Sequence, residues 1–115
     1  MVEAVSVFAT GGNAPKPHII KKIGNADVQV PKPRTISVSK SALEIIKSAM
    51  VNVVASDTGT GQRARIEGMT IAAKTGTAEL DQAKKNVNSW FIGYFPYDKP
   101  RIAMAIVLEG GDYTN

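Results

Sequence analysis

Leu43, Ile46, Met50 and Val53, joined by Ala42, Ile45 and Ala49, recur at intervals of three and four residues. That spacing predicts one amphipathic helix from about Lys40 to Ala55, and Ser39 stands where an N-cap hydroxyl is wanted. A second helix is expected over Met1 to Thr10, where Val2, Val5 and Phe8 fall at threefold spacing with Ala4 and the Gly11-Gly12 pair supplies a stop. No Ser, Thr, Asp or Asn precedes its first turn, so this beginning reads as a cut into an existing helix. Beyond Asp57-Thr58-Gly59-Thr60-Gly61, a loop by composition, the period changes. Met69 to Thr77, Ser89 to Pro96 and Arg101 to Leu108 read as strands, the last two joined through Tyr97-Asp98-Lys99-Pro100 as a hairpin. His18 to Ile23 is expected to form a shorter strand paired with Asp27 to Val30 across Gly24-Asn25-Ala26, after which Pro31 and Pro33 break regular structure.

On the last two long strands both alternating sets are apolar: Trp90, Ile92 and Tyr94 against Phe91 and Phe95, then Ile102, Met104 and Ile106 against Ala103, Ala105 and Val107. Such a sheet needs cover on both faces. The expected fold class is α/β in the broad sense, more strictly α+β: an antiparallel sheet of three central strands packed with helices, plus a two-stranded extension near residues 18 to 30. At 115 residues the chain fits one domain, and the two helices can cover only part of that sheet. Residues 1–115 are therefore expected to be a single domain incomplete at both ends, with uncovered apolar surface that favours self-association.

Composition changes this picture little. Hydrophobic residues at 43% and charged residues at 21% are ordinary for a folded soluble chain, and disorder is not suggested. The net charge of +4 raises the question of nucleic acid. However, Lys16, Lys21, Lys22, Lys32 and Arg34 alternate with prolines and apolar residues, Lys84 and Lys85 sit in a polar loop, and no stacking aromatics accompany them, so no nucleic-acid partner is expected. The longest apolar runs fall well short of the roughly 20 residues that span a bilayer, so this segment itself is expected to be soluble. Without cysteine there is no thiolate nucleophile or disulfide frame, and with His18 as the only histidine there is no His-based triad or multi-histidine metal site. No metal and no cofactor is expected. Asp57, Asp81, Asp98 and Asp112 are scattered over loops and ends, which suits turns better than paired acid and base.

Lys74-Thr75-Gly76-Thr77, at the end of a predicted strand, is the segment best suited to chemistry. Lys74 offers a compact ammonium, Thr75 and Thr77 offer hydroxyl donors, and Gly76 removes the side chain that would keep a ligand backbone from lying along the strand. A strand of this kind can bind an extended peptide along its edge while gripping a carboxylate. Lys-Thr-Gly alone is expected by chance in roughly 3% of chains of this length, so its surroundings must decide. Trp90, in a strand with apolar neighbours on both faces, is assigned to core packing. Glu79 fits a cleft position or a solvated loop equally well. Gly59-x-Gly61 lacks the Gly-Lys-Ser/Thr of a phosphate cradle and is read as turn chemistry.

The surroundings are informative. Ile71 to Glu79, followed by Ser89-Trp90-Phe91-Ile92-Gly93-Tyr94-Phe95-Pro96 and Ile102 to Val107, resembles penicillin-binding proteins of the monofunctional, class B type, in the C-terminal part of their transpeptidase domain. Phe8-Ala9-Thr10-Gly11-Gly12, Lys16 to Ile23, and the helix at 40 to 55 with Thr58-Gly59-Thr60-Gly61 resemble the preceding elements in the same order. In these enzymes Lys-Thr-Gly works beside two further motifs, Ser-x-x-Lys and Ser-Asp-Asn.

The resemblance implies the penicillin-binding protein and serine β-lactamase-like fold, and acyl transfer on a peptidoglycan stem peptide ending in D-Ala-D-Ala, with β-lactams as mimics of that ending. It implies that Lys74, Thr75 and Thr77 hold the donor carboxylate, that Gly76 permits close approach, and that the backbone N–H of Thr77 forms half of the oxyanion hole. The partners implied are the stem peptide, β-lactams and the rest of the transpeptidase domain. The implied location of the parent protein is the extracytoplasmic face of the bacterial cell membrane.

The serine nucleophile and its base are expected outside this chain. Ser37-Val38-Ser39-Lys40 spells Ser-x-x-Lys, yet Ser37 precedes the helix and Ser39 has the simpler task of capping it. Two other readings stay open on the residues alone: a β-lactam sensor or binding module that uses the same clamp, and a noncatalytic anion-binding interaction domain, which salt-dependent binding to anionic polymers would reveal.

Overall fold

The computed structural model describes residues 1–80 and 86–112. Asp81, Lys84 and Lys85 lie outside the described residues, as does the side chain of Asp112. Helix α1 spans Val2–Thr10 and ends on Gly11, whose φ of 73° places it in the left-handed region that glycine enters at little cost. Helix α2 spans Lys40–Ala55. Its Ser39 hydroxyl accepts the Ala42 N–H at 3.2 Å, the cap that the sequence predicts, typically worth about 1 kcal/mol.

The chain between the helices differs from expectation. Strand β1 (Asn13–Ala14) pairs antiparallel with β4 (Arg34–Thr35), and β2 (Lys22–Ile23) pairs with β3 (Ala26–Asp27). The predicted strand at His18 to Ile23 is thus only its last two residues, and its partner is Ala26–Asp27, not Asp27 to Val30. The pairing continues outward through the Val28 N–H, which donates to Lys21 O at 2.9 Å, and Ile19, fully exposed, has no apolar cover that would favour extending the strand further. The β1 and β4 pairing escapes a sequence reading because two-residue strands leave no periodicity, and Pro31 and Pro33 suggest only a break.

Strands β5 (Ala72–Glu79), β6 (Asn86–Phe95) and β7 (Ile102–Asp112) form the expected antiparallel sheet in the order β5-β6-β7. The mixed helix and antiparallel-sheet class is the predicted one. Strand β5 starts later than predicted and runs two residues past Thr77, because Ala78 and Glu79 find partners in Asn88 and Val87.

The register sorts the sheet into two faces. Ala72, Tyr94 and Ala103 stand side by side on one face, followed by Lys74, Ile92 and Ala105, then Gly76, Trp90 and Val107. The opposite face carries Ala73, Gly93 and Met104, then Thr75, Phe91 and Ile106. Val5 of α1 and Met50 of α2 close over Ala72 and Tyr94 on the first face, while Val54 packs with Ile71 and Ala73 on the second. Only the C-terminal half of α2 is anchored: Ile45 is 70% exposed, and among the described residues Ile106 and Leu108 also leave the sheet face open. No helix among the described residues is long and apolar enough to cross a membrane.

Tyr94 is fully buried, and its hydroxyl makes no hydrogen bond among the described residues. Burial, and to a smaller degree Tyr97 beside it, pushes the phenol up to about 12. Since the folded phenol holds its proton more tightly than the unfolded one, this stability is present below pH 10 and is lost as pH rises from 10 towards 12. Tyr94→Phe is therefore expected to leave stability at pH 7 unchanged or raise it by about 1 kcal/mol. It should also flatten the alkaline limb of the stability curve. Denaturant titrations at pH 7 and pH 11 check both, and a loss above about 2 kcal/mol at pH 7 would show that the hydroxyl is paired.

Candidate active site

Strand β5 is an edge strand, with β6 on one side and no strand partner on the other among the described residues. The Leu80 N–H donates to Asn86 O at 2.9 Å, which assigns the even-numbered residues of β5 to the β6 side of the ladder. In an antiparallel strand consecutive residues turn their backbone groups to opposite sides. The N–H and C=O of Thr75 and Thr77 therefore point to the open edge. The side chains obey the other alternation: Lys74 and Gly76 stand on the face shared with Trp90 and Ile92, Thr75 and Thr77 on the face shared with Phe91 and Ser89.

A groove of about 270 Å³ runs along this strand, lined by Lys74 to Ala78 with Trp90, Ile92 and Met1. Lys74 is exposed, and its Nζ donates to the outward-facing carbonyl of Thr75. Its stem also borders a second cavity, of about 480 Å³, walled by Phe8 of α1, Ile45, Ile46, Ala49 and Val53 of α2, and Ile92. The ammonium thus leaves an apolar wall and emerges at the groove, the usual arrangement for a long cationic side chain.

Gly76 lies in the middle of the groove. Its φ is outside the left-handed region, and a Cβ built on it would meet only the Cβ of Trp90, at an ordinary 3.7 Å. Neither backbone conformation nor packing calls for glycine here. Gly93 on β6 is the opposite case, since a Cβ there would stand 2.6 Å from the Ala72 carbonyl oxygen.

Trp90 is half-buried and forms a wall of the groove, which corrects its assignment to the core. It stands in register opposite Gly76, a residue without a side chain to fill the groove beside it. Glu79 is exposed at the outer end of β5. His18 is exposed in the segment before β2, its Nδ1 3.4 Å from Lys16 O. Asp57 pairs with Arg65 at 3.0 Å, and Asp98 is exposed in the turn between β6 and β7. Ser37 lies in the exposed segment between β4 and α2.

One residue beside Thr75 is missed by the sequence reading. Thr60, in the loop after α2, places its hydroxyl 2.5 Å from that of Thr75. The partners are fifteen residues apart, and no periodicity connects them. The only sequence signal is a threonine between two glycines.

An edge strand that carries an ammonium, two threonines and a glycine with no packing role borders an open groove, the kind of edge along which extended peptides can pair. Residues 1–115 match the model of the penicillin-binding protein transpeptidase domain in full, and the chain belongs to that family. It is 28% identical over 143 residues to the peptidoglycan D,D-transpeptidase MrdA of Haemophilus influenzae, a match covering 100% of this chain and 21% of that protein. It is similar to the crystal structure of the D,D-transpeptidase domain of a peptidoglycan glycosyltransferase from Eggerthella lenta, with TM-score 0.79 and 31% identity, over 96% of this chain and 27% of that one. It is likewise similar to the imipenem acyl-enzyme complex of penicillin-binding protein A from M. tuberculosis, with TM-score 0.75 and 26% identity, over 96% of this chain and 26% of that one. The chain thus spans about a fifth of the curated relative and about a quarter of each solved chain. The expected family, and the expected fold of its transpeptidase domains, are the observed ones.

Proposed function

We propose that this chain is the carboxylate-clamping part of a peptidoglycan D,D-transpeptidase, with the serine nucleophile and its base contributed by residues outside these 115. Lys74 and the hydroxyls of Thr75 and Thr77 hold the terminal carboxylate of a D-Ala-D-Ala stem peptide, or the matching carboxylate of a β-lactam. The Thr77 N–H, turned to the open edge of β5, donates to the oxyanion that develops when the serine oxygen adds to the carbonyl carbon. Loss of one such donor typically costs about 2.7 to 4 kcal/mol of the barrier. The remaining parts of the transpeptidase domain cover Ile45, Ile106 and Leu108, and the parent protein works at the extracytoplasmic face of the bacterial membrane. The isolated chain, with those residues uncovered, self-associates.

The observation that carries this reading is Gly76, a glycine in the groove that neither φ nor packing calls for. Space along a strand that the fold does not use is space for a ligand backbone. In the longer polypeptide that carries the serine, Gly76→Ala is expected to shift the melting temperature by less than about 3 °C. The same variant should slow covalent labelling by a fluorescent penicillin about tenfold. Labelling at the wild-type rate would remove the ligand from this strand and the proposed function with it.

A further inference from the structure

We propose that Thr60 is a positioning residue for the clamp: it orients the hydroxyl of Thr75 towards the ligand carboxylate without touching the ligand itself. This rests on the function proposed above and extends it to a residue outside the Lys-Thr-Gly strand. A threonine hydroxyl has one proton and two acceptor sites, and it rotates to suit its surroundings. A carboxylate only accepts, so Thr75 serves the clamp when its single proton points at the ligand. A partner that donates to the Thr75 oxygen fills one acceptor site and leaves the proton for the carboxylate. It also strengthens Thr75 as a donor, because hydrogen bonds in a chain polarise one another. Thr60 is placed for that task, with Oγ1 2.5 Å from Thr75 Oγ1.

The loop that carries Thr60 is seated on the end of α2. The Gly59 N–H donates to Ser56 O and the Gly61 N–H to Val53 O, both at 2.9 Å. A Cβ on Gly59 would stand 2.3 Å from Val53 O and 2.8 Å from Asn52 O, so this close approach requires glycine. A Cβ on Gly61 would meet Val53 Cγ1 at 3.1 Å and Phe91 Cε2 at 3.4 Å, on the sheet face that Thr75 shares with Phe91. Two glycines flanking Thr60 thus lower it onto the helix end and the sheet. The glycines read from sequence as turn chemistry act here by close approach, and the residue between them is delivered to the clamp.

The test uses the longer polypeptide with its serine, and two acylating agents: a penicillin with a free carboxylate and the methyl ester of the same penicillin. Thr60→Val is expected to lower the second-order rate of acylation by the free acid about three- to tenfold, the range of one net hydrogen bond, with the ester rate unchanged. Thr60→Ser, which keeps the hydroxyl, should stay within about twofold of wild type. The double variant Thr60→Val with Thr75→Val should be no slower than Thr75→Val alone, since Thr60 acts through Thr75. Equal losses with acid and ester would mean a structural role, and additive losses in the double variant would mean direct ligand contact. Either result, or a wild-type rate in Thr60→Val, overturns the proposal. Lys74→Met serves as the control: if it too leaves the preference for acid over ester intact, the clamp itself is refuted, an outcome distinct from the failure of Thr60 alone.

Discussion

Lys74→Met, in the longer polypeptide proposed to carry the serine, is expected to slow acylation by a carboxylate-bearing penicillin by about tenfold to a hundredfold. The range follows from the strength of a hydrogen bond to a charged group, about 1.5 to 3 kcal/mol. Methionine is chosen because the lysine stem borders the apolar cavity with Ile92 and Phe8, and an unbranched apolar side chain keeps that wall filled while removing only the ammonium. The fold should be untouched, since Lys74 is exposed. Ionic strength gives a second readout. The wild-type rate should fall as salt screens the attraction between ammonium and carboxylate, and the variant should show a shallower dependence. A variant acylated at the wild-type rate would mean that the carboxylate is held elsewhere.

The largest loss of stability is expected from Gly93→Ala on the central strand β6. The added Cβ would stand 2.6 Å from Ala72 O and 3.0 Å from the Ala73 Cβ. The nearer atom belongs to the backbone of the neighbouring strand and cannot swing aside as a side chain would. Separating β5 from β6 is the only relief, and overpacking of this kind costs about 3 kcal/mol. For a folded unit of 115 residues that is a melting temperature lower by roughly 10 °C. Chemical denaturation followed by circular dichroism should show a lower midpoint with an unchanged slope. A change below about 0.5 kcal/mol would show that the two strands part easily. Gly76→Ala, on the strand paired with β6, makes the same chemical change without the clash. Gly93 thus serves the fold, whereas Gly76 leaves room in the groove.

Features that depend on near neighbours in the chain were legible in the sequence. The period of Leu43, Ile46 and Met50 and the cap at Ser39 define α2, because a helix and its cap are built from residues within four positions of one another. The long strands β5, β6 and β7 declare themselves by runs of apolar residues, and Lys74 to Thr77 by the types of its side chains in series. What those residues face was not legible. Which side of β5 the Thr77 N–H takes depends on register with β6, visible only in the bond from Leu80 to Asn86. Trp90 lines the groove opposite Gly76, and Thr60 meets Thr75 because a loop folded back on α2. The long elements and the chemical groups of Lys74 to Thr77 were thus written into the order of residues, since periodicity and residue type need no partner to be read. The open backbone groups, the ring that lines the groove and the hydroxyl that meets Thr75 were settled by folding, because each depends on contact between segments far apart along the chain.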